Sequence, residues 1–217
     1  MIRGGAPRKT KAETAAEMLE AMIVNCEIAP GAVVPEADLM ETLELGRTPV
    51  REALVRLSSE NLVRLGRGGI VIPELNAMTM LKLLELREPI ERLCIEKAAQ
   101  RLDADDARRF REIRERLAPL PHDDRAGFME LLRQTHRALA EASKNEFILS
   151  SMKTTQGLSR RFWRYFATDD DQRYCTELYC ALLDGLVSGD GAEPVRRSEE
   201  LMRYLRRFTL RQMEDLA

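Results

Sequence analysis

Arg47 and Arg51 stand four residues apart in Gly46-Arg47-Thr48-Pro49-Val50-Arg51-Glu52-Ala53-Leu54. The Thr-Pro pair can start a helix, with Thr48 as cap and Pro49 at the first position. Val50, Leu54 and Leu57 fall on one apolar face, so both guanidinium groups project from the other side, at the end where backbone N–H groups also point outward. That end suits an anion such as phosphate, and an arginine there can donate two hydrogen bonds to guanine O6 and N7. The chemistry is recognition of a polyanion rather than bond-making.

The surrounding sequence supplies a frame for such a helix tip. Ala15, Met18, Leu19, Met22 and Ile23 recur at helical spacing from Lys11 to about Asn25, and Pro30-Gly31 marks a turn. A second helix is predicted from Pro35 to about Leu43, with Pro35 in its first turn and Leu39 and Leu43 inward. The connection Glu44-Leu45-Gly46-Arg47 is so short that the second and third helices must cross steeply. Leu62 to Leu65 and Ile70 to Ile72 then flank Gly66-Arg67-Gly68-Gly69, the pattern of a β-hairpin, and Pro73 closes the unit. These elements predict a winged helix-turn-helix over residues 1–76, with residues 1–11 as a flexible basic tail.

Composition narrows the setting. The 217 residues are 44% hydrophobic and 32% charged, enough for one or two packed domains. No apolar run approaches the roughly 20 residues needed to span a bilayer, and the N-terminus lacks the apolar core of a secretory signal, so a cytoplasmic protein without membrane association is expected. Cys26, Cys94, Cys175 and Cys180 match no zinc or dithiol spacing and are expected to be reduced, mostly buried thiols. The formal net charge of −2 hides a local bias: Arg47 to Gly69 holds five arginines against two glutamates. No phosphate-cradling glycine loop is present, and no catalytic residues are expected.

The run PGAVVPEADLMETLELGRTPVREALVRLSSENLVRLGRGGIVI resembles the DNA-binding domain of GntR-family bacterial transcription regulators. Arg47 through Leu54 matches the family signature residue for residue. Two positions depart: Gly46 stands where Ser or Thr is usual, and Ala37 where the preceding helix often carries arginine. The resemblance implies that Arg47 and Arg51 read the major groove, Thr48 contacts phosphate, and Arg67-Gly68 approaches the minor groove. The expected DNA-contacting set is Arg47, Thr48, Val50, Arg51, Arg67 and Gly68, with Val50 also part of the apolar underside.

Residues 77–217 read as an all-α antiparallel bundle, with helices near 77–101, 104–118, 124–143, 146–167, 171–188 and 192–215. The fold class expected is therefore mainly α, a winged helix-turn-helix followed by a helical bundle. LLELREPIERLCIEKAA, FMELLRQTHRALAEASKNEFI and ELYCALLDGLVSGDGAEPVRRSEELMRYL resemble the FCD effector domain of the FadR-like branch of the same family. Such domains commonly hold a metal by an Asp or Asn and three histidines. On that alignment His136 is kept, the acidic position is Leu132, and the later histidine positions are Tyr179 and Tyr204. One imidazole and two neutral phenols make a poor divalent-ion site, so no metal and no cofactor are expected.

The pocket is expected instead to take a small organic acid, through Tyr179, Tyr204 and His136 and a bidentate bond from Arg87. The competing account is ordinary packing, with Arg87 paired to Glu91 one turn away. Arg160, Arg161, Trp163 and Arg164 are expected on the bundle surface. The resulting picture is a homodimer on a palindromic double-stranded operator, because one short helix reads few base pairs, with affinity modulated by the effector. A constitutive DNA-binding protein whose bundle only dimerises is the alternative.

Overall fold

The computed structural model describes residues 9–67 and 69–214. The chain divides between Glu74 and Leu75 into two compact units, each with its own core.

In the first unit, α1 (Lys11–Val24), α2 (Glu36–Leu43) and α3 (Arg47–Ser59) surround a core that includes Leu19, Ile23, Leu39, Val50, Leu54 and Leu57. Thr10 caps α1 in a reciprocal box with Glu13. Of the expected tail, then, Thr10 and Lys11 already belong to the helix, Lys9 pairs with Glu17 at 2.6 Å, and residues 1–8 lie outside the described residues. Two start positions are corrected. Pro35 is extended and caps α2 from outside rather than sitting in its first turn. Gly46 is the cap residue of α3, so Thr48 is its second residue and Pro49 its third. Because Gly46 has no side chain, the first amides of α3 receive no side-chain cap.

The turn between α2 and α3 passes through Glu44 at φ 53°, a left-handed conformation usually left to glycine. The hairpin strands β2 (Arg64–Gly66) and β3 (Gly69–Val71) form as expected, and a strand not read from the sequence, β1 (Val33–Val34), pairs with β3. The order β1-β3-β2 places β3 in the centre, antiparallel to both neighbours. Two residues between prolines and alanines offered no alternation from which to infer β1.

The second unit is helical throughout its described residues: α4 (Ala77–Arg101), α5 (Ala104–Leu117), α6 (Arg125–Ala142), α7 (Glu146–Phe166), α8 (Asp169–Ser188) and α9 (Ala192–Glu214). Side-chain caps from Asn76, Asp103, Asp124, Asn145 and Thr168 set the starts of α4 to α8. α8 begins two residues earlier than expected because Thr168 and Asp171 form a capping box. Cys94, Ile95, Phe110, Leu139, Ile148, Leu183 and their neighbours form one buried core. Cys94, Cys175 and Cys180 are buried, and Cys26 is half-buried. No helix of the described residues is long and apolar enough to cross a membrane.

Gly69 is the tightest point of the small sheet. Its φ is 138°, and a Cβ there would stand 2.3 Å from the Val34 carbonyl oxygen, a backbone atom with nowhere to go. Gly69→Ala should therefore cost about 2 kcal/mol or more and loosen the pairing of β1 with β3. Hydrogen exchange checks this at the Ile72 amide, which donates to the Ala32 carbonyl at 2.9 Å; it should exchange faster in the variant.

Candidate functional site

The tip of α3 is built from below. Val50 is 0% exposed and Leu54 and Leu57 are buried beneath it, so the helix cannot roll without exposing its apolar face. That fixes Arg47, Thr48 and Arg51 on the outer side, all three exposed. Val50 is thus removed from the expected contact set: a residue sealed into the core cannot touch DNA, and its part is to aim its neighbours. Arg67 is exposed beyond β2, and Gly68 lies outside the described residues.

Arg51 does not stand free. Its Nε donates to Glu36 Oε2 at 2.8 Å, joining the first turns of α3 and α2. The hydrogen bond from Arg51, with the charges of Arg51 and Arg47 nearby, holds the Glu36 carboxyl below its ordinary value despite some burial. Arg56, further along α3, pairs with Glu60 at 3.2 Å and is turned toward the helix end. Ala37, exposed on α2, leaves that surface without the arginine that the resemblance led one to look for.

The second candidate lies within the helical unit. Arg87 on α4, Leu132 and His136 on α6, Gln156, Ser159, Arg160 and Trp163 on α7, Cys175 and Tyr179 on α8, and Leu201 and Leu205 on α9 enclose a cavity of ≈ 20 Å³, about the room of one water molecule. Arg87, 2% exposed, donates to Glu91 at 2.9 Å and to the Ser159 hydroxyl. Gln156 Nε2 donates to both oxygens of Glu91 at 3.0 Å. Both terminal nitrogens of Arg87 are thus committed inside the protein, so the bidentate clamp expected for a ligand is already closed on the chain's own groups. Its Nε is buried without a partner, as are His136 Nδ1 and Gln156 Oε1.

His136 Nε2 and the Tyr179 hydroxyl share a hydrogen bond of 2.8 Å, with the rings edge to face. Burial first, then the positive charges of Arg87 and Arg160, press the His136 pKa well below its usual value, so the ring is neutral at physiological pH. Burial pushes the Tyr179 hydroxyl up, out of the titrating range. Tyr204 departs from expectation. Its hydroxyl donates to Asp171, which also accepts from Arg211 at 2.8 Å, and it is not among the residues that enclose the cavity.

Sequence reasoning missed Gln156, Ser159 and Arg160. Arg160, Arg161 and Trp163 are buried rather than on the surface, and Arg164 is half-buried. The signal was present in the spacing of Gln156, Ser159, Arg160 and Trp163 at i, i+3, i+4 and i+7, which is one helix face. A charged side chain is ordinarily exposed, and the helical spacing outweighs that rule here.

The donor chemistry does not fit the family's metal. Leu132 offers no ligand atom, His136 Nε2 is engaged by Tyr179, and no three His, Cys, Asp or Glu side chains come together among the described residues.

With both sites drawn, comparison places the chain. Residues 11–72 match the model of the bacterial regulatory proteins of the gntR family, and residues 82–204 match that of the FCD domain. The chain belongs to the gntR family, in the branch that carries an FCD domain. It is 31% identical over 147 residues to the Nta operon transcriptional regulator of Aminobacter aminovorans, covering 64% of this chain and 66% of that protein. It is 26% identical over 196 residues to the transcriptional regulator LutR of Bacillus subtilis, covering 79% and 89%. Both relatives are named as regulators of transcription. Among solved structures, E. coli McbR/YncC superposes with a TM-score of 0.80 at 20% identity over 95% of this chain and all of that one, a likeness of fold alone.

A neutral buried histidine sets the sign of one pH effect. The unfolded chain binds a proton at His136 near pH 6.5 and the folded chain does not, so stability falls as pH drops below about 6.5. The slope from this residue is at most about 1.4 kcal/mol per pH unit. Thermal melts between pH 7 and 5 should show a shallower acid decline for His136→Gln than for the unaltered chain.

Proposed function

We propose that the chain is a sequence-specific DNA-binding transcription regulator that acts as a homodimer on a palindromic operator. The observation that supports this best is the tip of α3: an end with no side-chain cap, bearing exposed Arg47, Thr48 and Arg51 over a fully buried Val50. Amides at such an end favour a phosphate, and an arginine in its first turn has the reach and the paired donors for a guanine edge. Arg67 and Gly68 in the wing are proposed to track the adjacent minor groove. Two copies are needed because a single helix of this length contacts too few base pairs for useful selectivity.

Arg51→Ala should weaken binding to the selected operator by about 1–3 kcal/mol. A titration at fixed salt measures it, and unchanged affinity would remove the residue from base recognition.

For the helical unit we propose a small organic acid as effector, held without a metal at Arg87, His136 and Tyr179. The buried, unpartnered Arg87 Nε and His136 Nδ1 support an anionic or hydrogen-bonding guest. Tyr204, whose hydroxyl donates to Asp171, is left out of the proposed contact set. An effector that prefers one arrangement of the paired reader units over another would shift operator affinity. The cavity volume favours one rival reading, a bundle that dimerises without sensing, because ≈ 20 Å³ is about the room of one water molecule.

A thermal-melt screen of organic acids on chelator-treated protein separates the two. An acid at 100 times its Kd stabilises by about 2.7 kcal/mol, roughly 5–10 °C for a chain of this size. Tyr179→Phe should lose that gain; no stabilising acid at all would favour the non-sensing reading.

A further inference from the structure

The ion pair between Glu36 and Arg51 is built like a brace rather than a stabilising bridge. Its partners lie on different helices, fifteen residues apart, and it uses only Nε of the guanidinium. The Arg51 side chain is 55% exposed and that of Glu36 31%, so the pair contributes little to stability. The two terminal nitrogens of Arg51 make no hydrogen bond among the described residues.

Resting on the DNA-binding reading above, we infer that Glu36 is a positioning residue for base selection, which fixes the plane of the Arg51 guanidinium so that Nη1 and Nη2 face a guanine edge together. The guanidinium plane contains Cδ, Nε and an acceptor in line with Nε–H, so the covalent stem and the bond to Glu36 Oε2 together fix that plane. The parallel N–H groups left over match the O6 and N7 acceptors of guanine and no other base edge so well. Held this way, Arg51 reaches the operator with its rotamer already chosen.

Glu36 also exacts selectivity through its charge. A carboxylate at this surface repels the phosphates of any duplex, and Arg51 and Arg47 keep it ionised. Where Arg51 meets guanine, the lost phosphate attraction is offset by two base hydrogen bonds. Where it meets another base, the repulsion stands without compensation. The residue thereby lowers affinity for all DNA while widening the gap between right and wrong sites.

A purely structural role for Glu36 is the competing account, since an acid in the first turn of α2 also favours the helix dipole. Loss of that role would weaken all DNA binding together. The two accounts diverge in Glu36→Gln, which keeps shape and removes charge. The full-length protein first selects duplexes from a random library, and the best duplex then serves as operator. Affinities for it, for versions with single guanine positions replaced, and for an unrelated duplex are measured at one salt concentration.

For Glu36→Gln the unrelated duplex should bind several-fold tighter, and the ratio of operator to unrelated affinity should fall about tenfold. The loss of preference should be confined to one guanine per half-site. Glu36→Ala should behave alike, and in an Arg51→Ala background Glu36→Gln should no longer change base preference. An unchanged ratio, or equal changes for every duplex, overturns the inference while leaving DNA binding intact. If the unaltered chain selects no duplex, the DNA-binding reading fails and this one with it.

Discussion

An arginine taken out of water must be matched by acceptors, and the helical unit is arranged around that demand. Arg87 is held by Glu91 and Ser159, and Glu91 in turn is held by Gln156, which joins α4 to α7 across a buried seam. Breaking such a pair leaves a charge stranded in apolar surroundings, at a cost of about 3–5 kcal/mol. The pair of Arg51 with Glu36 has the same chemistry and a similar distance, 2.8 Å against 2.9 Å. Solvent makes the difference. Water and a duplex can both compete for Arg51, whereas Arg87 has no exchange partner short of a guest that enters the cavity. One ion pair is therefore architecture, and the other engages only Nε of its arginine and leaves the terminal nitrogens to solvent or a duplex.

This contrast explains what the sequence revealed and what it withheld. The helix boundaries of the bundle were legible because Leu, Ala and aromatic residues recur at helical spacing and the breaks fall at Pro, Gly, Asn and Asp. The recognition helix was legible for the same reason, through Val50, Leu54 and Leu57. Local spacing also fixed which side of α3 carries Arg47 and Arg51. Which side chains close on one another across helices was not legible, because nothing in the spacing of Arg87 points to Ser159, 72 positions away. The buried arginines of α7 were misread for a related reason: burial of a charge depends on partners from other helices. β1 escaped because two residues have no period, and its existence is settled by pairing with β3.

The family resemblance was most informative where this chain departs from it. Leu132 and Tyr179 stand where the resemblance puts metal ligands, and His136 Nε2 shares a hydrogen bond with Tyr179. Of that set the chain keeps His136. Gly46 acts in the opposite direction at the other unit: by leaving α3 without a side-chain cap, it leaves amide donors to be satisfied from outside.

Asp171 carries a further consequence. Its Oδ2 accepts from the Thr168 amide and hydroxyl at 2.9 and 2.8 Å, and its Oδ1 from Tyr204 and Arg211. Four donors converge on two oxygens, and an NH2 at either position would face a group that can only donate, the Thr168 amide or the Arg211 guanidinium. Asparagine, the nearest isostere, is excluded at this position by acceptor arithmetic as well as by charge. The beginning of α8 and the far end of α9 consequently share a single chemical constraint, and sequence drift at either helix terminus is bounded by one carboxylate.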